Sequence, residues 1–470
     1  MKTSPHQIFA RTLIFLSLVA VGQTAYAVVP APDGCYPGFT TAEGCNALKN
    51  LTTGAANTAV GWFSLFSAGA ANNNTGVGAG ALALNTADSN TAVGTAALIL
   101  NTTGTGNTGI GTAALVFNDG GNFNTATGSF ALQSNTAGGA NTAVGFQALQ
   151  SNTDGNGNTA TGANALFHNN ASENTAFGDS ALVFNTIGNN NTAIGADALE
   201  NNTVGVANTA TGAFALVDNI SGQGNTATGI DALSSNTTAN FNTAMGNSAL
   251  SSNITGGGNT AIGSTALANS TTGSGNIGLG NNAGANVSTA SSAICIGNVG
   301  KDVNNSCFIS SIRGVQTQNA NAIPVLIDSD GQLGTASSSR RFKKDIQLIN
   351  KNSEAILALK PVTFHYKSDK TNTPQFGLIA EEVAQVNPDL IVRDENGEIY
   401  TVRYDAVNAM LLNEFLKEHK AFLEEQKKVQ KLEAALAAVN ERLKEQDAKI
   451  ERVSVGIVTN MTAPQVARVP

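Results

Sequence analysis

An Asn opens nearly the same phrase at 57, 74, 90, 107, 124, 141, 158, 174, 191, 208, 225, 242, 259 and 276, a period of 17 residues that shortens to 16 twice. Residues 141–157 read "NTAVGFQALQSNTDGNG", and "NTATGANALFHNNASE" follows at once. A Leu keeps step at 65, 82, 98, 115, 132, 149, 166, 182, 199, 216, 233, 250 and 267, and most coils place a Val, Ile, Thr, Phe or Met three residues after the Asn. One such phrase offers about two apolar anchors, too few for a core of its own, so each copy must stack on the next. That requirement leaves a solenoid. The Gly after each "NTAV" permits a bend, and the "NT" and Gly clusters between short apolar pieces are turn chemistry rather than helix chemistry. The expectation is a mainly β fold, a parallel β-roll or β-solenoid of about fourteen coils, roughly 65 Å long at ~4.8 Å per stacked strand. Its core is expected from the Leu and the Val-type residue, with Asn and Thr forming in-register ladders along the side.

Charge divides the chain. No Lys or Arg occurs between Leu51 and Gly300, whereas 22 of the 25 basic residues follow Gly300. The repeats carry only scattered acids: Asp88, Asp119, Asp154, Glu173, Asp179, Asp197, Glu200, Asp218 and Asp231. Nothing there would neutralise phosphates, which argues against nucleic acid as a partner. No pair of carboxylates recurs in a fixed frame, which argues against a repeat-borne glycosidase.

The N-terminus reads as an export signal: Lys2 and Arg11 precede the apolar run "LIFLSLVAV", and "AYA" ending at Ala27 offers a cleavage site. The run is too short to span a bilayer. Mature chain is therefore expected from Val28, outside the cytoplasm. Cys35 and Cys45, and Cys295 and Cys307, form two close pairs at the two ends of the repeats. In an oxidising compartment they read as local disulfides securing the ends. Zinc is the alternative, but no His or CxxC accompanies either pair, so no metal is expected.

The phrases "NTAVG", "NTAIG" and "NTATG" followed by "AL" resemble the head repeats of trimeric autotransporter adhesins, the YadA-like heads, over residues 50–290. That resemblance implies a β-roll in each of three chains associated around one axis. The usual head repeat is shorter, and the membrane β-barrel that ends such adhesins has no counterpart here. Only "RVSVGIVTNMTAPQVARVP" follows the last helix, which leaves no room for an integral anchor.

"AIPVLIDSDGQLGT" reads as two short strands around an Asp-Gly turn. Next comes "ASSSRRFKKDIQLINKNSEAILALKPVTFHYK", and then "PQFGLIAEEVAQVNPDLIVRDENGEIYTVRYDAVNAMLLNEFLKE". These stretches, residues 338 to about 425, resemble the intramolecular chaperone at the C-terminus of endosialidase tailspikes and tail fibres, the peptidase S74 family. The resemblance implies self-cleavage between Ser337 and Ser338, with Ser338 as nucleophile and Lys343 as base. A serine needs such a base, a lysine serves only if its surroundings favour the neutral amine, and tethering the bond in the same chain supplies proximity. Ser339 stands where the family usually has an acid, Lys344 adjoins Lys343, and Ser337 and Ser339 are fallback nucleophiles. No cofactor is implied. His365 is expected on a strand face opposite Val362, Phe364 and Tyr366, and neither it nor His168 nor His419 is assigned chemistry.

Val429, Leu432, Leu436, Val439, Leu443, Gln446, Ile450 and Val453 keep a 3-4 spacing, extended upstream by Phe415 and Phe422. They predict a coiled coil over 408–453, and both resemblances imply a homotrimer. The domains expected are a signal peptide (1–27), a Cys-containing cap (28–50), the repeats (51–290), a Cys-containing cap and β connector (291–337), the chaperone (338–407), the coiled coil (408–453) and a tail (454–470). The function expected is an exported trimeric fibre for surface attachment to an unidentified receptor or glycan. The alternatives are a phage or prophage tail fibre, and a Thr-ladder rod that binds ice or polysaccharide with a non-cleaving chaperone.

Overall fold

The computed structural model describes residues 38–460 apart from 319, 320, 329 and 395. The expected signal peptide, Cys35 and residues 461–470 lie outside the described residues. The chain divides into two compact units, between Gln316 and Thr317.

The first unit is a parallel β-solenoid. Its 17-stranded sheet runs from β1 (Thr41–Glu43) to β17 (Ser306–Ile309), and each strand pairs with the next in the chain. Nearly every strand is a "TA" or "TG" triplet, and like residues stack, Thr142 on Thr159 and Ala143 on Ala160. The stack is longer than the fourteen coils expected. "TAE" at Thr41–Glu43 and "AICI" at Ala293–Ile296 continue it at either end. The two 16-residue coils keep register, pairing Thr75 with Thr91 and Thr159 with Thr175. Their missing residue comes out of the turn after the second Asn, where Asn90 and Asn174, which open the next coil, donate to Asn85 and Asn169 five residues earlier at 3.1 and 3.3 Å.

The core differs from the one expected. Successive strand residues face opposite sides, so in Thr142–Val144 only Ala143 points inward, and Val144 is 39 % exposed. Inside lie three apolar columns per coil, represented by Ala143, Ala148 and Leu149, all fully buried. A side chain larger than Ala on the strand would compete with the stacked Leu for the narrow interior.

The Asn residues are also inside rather than along the side. Two columns of them are fully buried: the Asn that opens each phrase, and a second eleven residues on, such as Asn152. Asn141 donates through Nδ2 to the Gly155 carbonyl at 2.8 Å and so closes its own coil. Its Oδ1 accepts the backbone N–H of Asn158 in the next coil at 2.9 Å. Asn152 donates to Asn135 Oδ1 in the preceding coil at 2.9 Å and to Gly155 O at 3.1 Å. Where Ser270 replaces Asn, the second ladder stops, and Asn253 Oδ1 and Ser270 Oγ are left without a partner.

The bend after each strand is made by a column of Gly. Gly145 has φ of +141°, and a Cβ on it would come within 2.3 Å of the Gly162 carbonyl oxygen. Leu149 itself lies at φ +53°. A non-Gly residue there costs about 1–2 kcal/mol of local strain, and the Leu column tolerates it because full burial of each Leu side chain contributes about as much or more.

The expected Cys295–Cys307 disulfide is absent: both thiols are free. In the sheet Cys295 stands opposite Phe308 and Cys307 opposite Ile294, so the two thiols point to opposite faces. Burial, and secondarily Cys307, pushes the Cys295 thiol up. The end is secured by Asp302 instead. In an inner coil the N–H groups of Thr136, Ala137 and Gly138 all donate to the Thr153 carbonyl of the next coil. At the end of the stack the equivalent N–H groups of Ser288, Thr289 and Ala290 donate to the Asp302 carboxylate at 2.9, 2.9 and 2.7 Å. The Ser288 hydroxyl donates to it as well, at 2.7 Å.

The second unit is small and α+β. Strands β18 (Leu326–Ile327) and β19 (Leu333–Gly334) form the hairpin that the Asp-Gly turn predicts. After two 3₁₀ segments, Arg340–Phe342 and Asn350–Ala358, β20 (Val362–Phe364) pairs with β21 (Gln375–Gly377), and β22 (Ile391–Arg393) with β23 (Ile399–Val402). A short helix α1 (Ala380–Val386) and a 57-residue helix α2 (Tyr404–Asn460) complete it. Its core is Val383, Leu390, Val402 and Met410.

Asn152→Asp keeps the shape of the side chain but removes both donated hydrogen bonds and introduces buried charge, so it is expected to cost about 2 kcal/mol or more. Thermal unfolding checks this, and an unchanged midpoint refutes the ladder's role. The hydrogen bonds at Asp302, led by that of Ser288, hold its carboxyl well below the usual carboxylate range. A lowered folded value means the cap's contribution is present above the unfolded carboxylate pKa of ~3.9 and is lost as pH falls through the folded value. Asp302→Ala is expected to speed amide exchange at 288–290 at neutral pH, with the inner coils unaffected.

Candidate self-processing segment

The segment around the expected cleavage bond is short of partners. Ser337, Ser338 and Ser339 are exposed, and Ser339 is extended with φ −63° and ψ 136°. Arg340–Phe342 then form one 3₁₀ turn, closed by Phe342 N–H on Ser339 O and Lys343 N–H on Arg340 O, both at 3.1 Å. The Ser337 hydroxyl accepts the N–H of Ser339 at 3.2 Å, which bends the chain across the bond between Ser337 and Ser338. Arg341 lies over the Phe342 ring at 4.6 Å. Lys343 is exposed, and among the described residues no hydrogen bond joins it to Ser338. Ser338, the expected nucleophile, thus precedes the 3₁₀ turn and Lys343, the expected base, follows it, both on the surface of the single chain.

The unit behind this segment is firmly braced. Buried Ser353 donates its hydroxyl to Glu414 on α2 and accepts from Asn413 Nδ2 at 2.7 Å. Lys417 Nζ donates to Glu414 at 2.7 Å. The hydrogen bond from Lys417, and then that from Ser353, holds the Glu414 carboxyl below its ordinary range, while Glu414 in turn pushes Lys417 up. Tyr404 Oη accepts the N–H of Leu378 at 3.1 Å, tying the start of α2 to the end of the β20–β21 hairpin. Within that hairpin Asp369 accepts from Thr371 and Thr373 N–H, both at 2.8 Å, and the Thr371 hydroxyl leads in lowering its pKa to about 2. His365 follows β20 and is exposed.

Residues 338–392 match the model of the peptidase S74 family, chaperone of endosialidase, and the match begins at Ser338. No curated protein and no solved structure matches the chain. The second unit thus contains a chaperone domain of the endosialidase type. Sequence reading did not find the Ser353–Glu414–Lys417 cluster. Ser353 lies some sixty residues before the other two, and only the i, i+3 Glu-Lys pair on a predicted helix signalled any of it.

In the first unit, His168 was assigned no role, yet its ring stacks on Phe184 at 5.6 Å. Both line an open groove of about 750 Å³ with Asn201, Asp218, Thr203 and Ile220. Asp218 of this groove also acts on an acid outside its lining: burial raises the Glu200 carboxyl, and Asp197 and then Asp218 raise it further.

Ser353→Ala removes the hydroxyl that joins Glu414 to the 3₁₀ segment. It is expected to speed amide exchange in the first turns of α2 while leaving the melting of the solenoid unchanged. Equal exchange in both proteins refutes the brace.

Proposed function

We propose that the chain is an exported, trimeric attachment fibre whose C-terminal unit gathers three copies and then separates from the rod by cutting before Ser338. The observation that carries this reading is the start of the endosialidase-chaperone match at Ser338, after a long β-solenoid and a short connecting hairpin in the same chain. A solenoid followed by such a domain fits a tail-fibre-like structural protein. The helix supports the trimer. Helix α2 leaves Phe415, Phe422, Val429, Leu432, Leu436 and Leu443 at least half exposed along one seam, a spacing that partner helices bury. The small unit likewise leaves Phe342, Leu348, Phe376 and Tyr400 mostly exposed, apolar surface that partner chains can cover.

In this reading Ser338 Oγ attacks the carbonyl carbon of Ser337 and gives its proton to Lys343. The amine of Ser338 leaves with a proton, and water releases the ester at Ser337. Since Lys343 is exposed in one chain, burial against neighbouring copies would supply the neutral amine, so assembly precedes cleavage. Export rests on the N-terminal signal, and no described helix is long and apolar enough to cross a membrane. The groove beside His168 and Phe184 offers a ring face and polar groups to a surface ligand.

Intact mass of the purified protein beside Ser338→Ala and Lys343→Ala tests the processing step. Wild type is expected to split between Ser337 and Ser338 and both variants to remain whole. Three intact, oligomeric chains would withdraw the cleavage and leave the fibre.

A further inference from the structure

The outer face of the sheet is the one surface of the solenoid that carries no acid beyond its first strand. The last residue of each strand after β1 is aliphatic, Phe, Met or Thr, as at Val60, Ile110, Val144, Phe177, Ile194 and Ile309. These six are between 37 and 58 % exposed, and strand pairing sets them in one column. The column is roughly 75 Å long at ~4.8 Å per strand. Twelve of its sixteen positions are apolar and the other four, Thr127, Thr161, Thr211 and Thr228, are uncharged, and an aligned row of this kind marks an interaction site rather than scattered exposure.

Charge says what occupies it. Every ionised side chain between Leu51 and Gly300 is acidic, and none lies in a strand. Two such solenoids repel through every other face, as Asp197, Glu200 and Asp218 already do within one chain. Their uncharged faces meet without that cost. A second copy also repeats the same column at the same coil spacing, and the unpaired seam of α2 in the same chain calls for copies running in parallel.

We infer that this sheet face is where solenoids of neighbouring copies pack, with the Val144 and Ile194 column against the common axis. The inference rests on the oligomeric reading above and adds which face is buried. Isologous or cyclic contact then puts like residue near like.

Photo-cross-linking in the full chain tests it, with p-benzoyl-phenylalanine replacing Val144 or Ile194, and Ser151 or Thr237 on other faces as controls. Native mass is measured on each sample. Covalent oligomers from Val144 and Ile194 but not from the controls are expected. An intact oligomer with no cross-link from either strand position overturns the assigned face while the oligomer stands; a monomeric native mass overturns both. As a second variant, Ile194→Asp changes only an exposed position of the single chain. It is expected to abolish cross-linking from Val144, and undiminished cross-linking counts against the interface.

Discussion

The side-chain amides of the buried Asn columns are the interaction on which the solenoid depends. A coil of about seventeen residues with three-residue strands has far more backbone N–H and C=O groups than its ladder pairs, and those turned inward meet no water. Asn carries two donors and an acceptor on a side chain short enough to stay inside the coil. Asn141 spends them on its own coil's Gly155 carbonyl and the next coil's amide, while Asn152 joins the preceding coil. The Ala and Leu columns then fill what remains. Glycine follows from the same crowding, since coils drawn together by these bonds leave no room for a Cβ at Gly145.

A stack of this kind is one-dimensional, and its ends need what the interior gets from neighbours. At the last coil the Asp302 carboxylate takes over the carbonyl that a further coil would supply. A carboxylate suits three converging N–H groups better than a neutral side chain does, which is why its proton is so hard to restore.

Periodicity made the solenoid legible, because a repeat too poor to fold alone must stack. The identity of the inward column was less legible. Reading Val144 as core follows hydrophobicity, whereas strand alternation gives that place to Ala143, and only the strand's boundaries decide between them. The opening Asn was visible but placed outside, since polarity alone argues for the surface. The turn geometry that closes each coil puts it inside. Cys295 and Cys307 looked paired from their spacing, but register sets them on opposite faces. In the second unit the segment at Ser338 was readable as a motif. The brace at Ser353 was not, because it depends on how α2 docks on a 3₁₀ segment sixty residues earlier.

Uniformity also explains why such a rod would carry a chaperone. Register within a chain is pinned only by the order of near-identical coils, and two copies side by side can slip by one coil while losing a single coil's contacts. Every offset by whole coils sets the same outward strand columns against one another, so the rods themselves discriminate weakly among alignments. A unit with a distinctive core, as around Val383 and Met410, and a long helix with an irregular seam discriminates strongly. In the proposed assembly, fixing the alignment there would turn a set of nearly degenerate pairings into one, and once the coils had locked, the aligning unit would have no further share in stability. That asymmetry makes removal at Ser338 physically reasonable: the information is needed during assembly, and the strength resides in the stack.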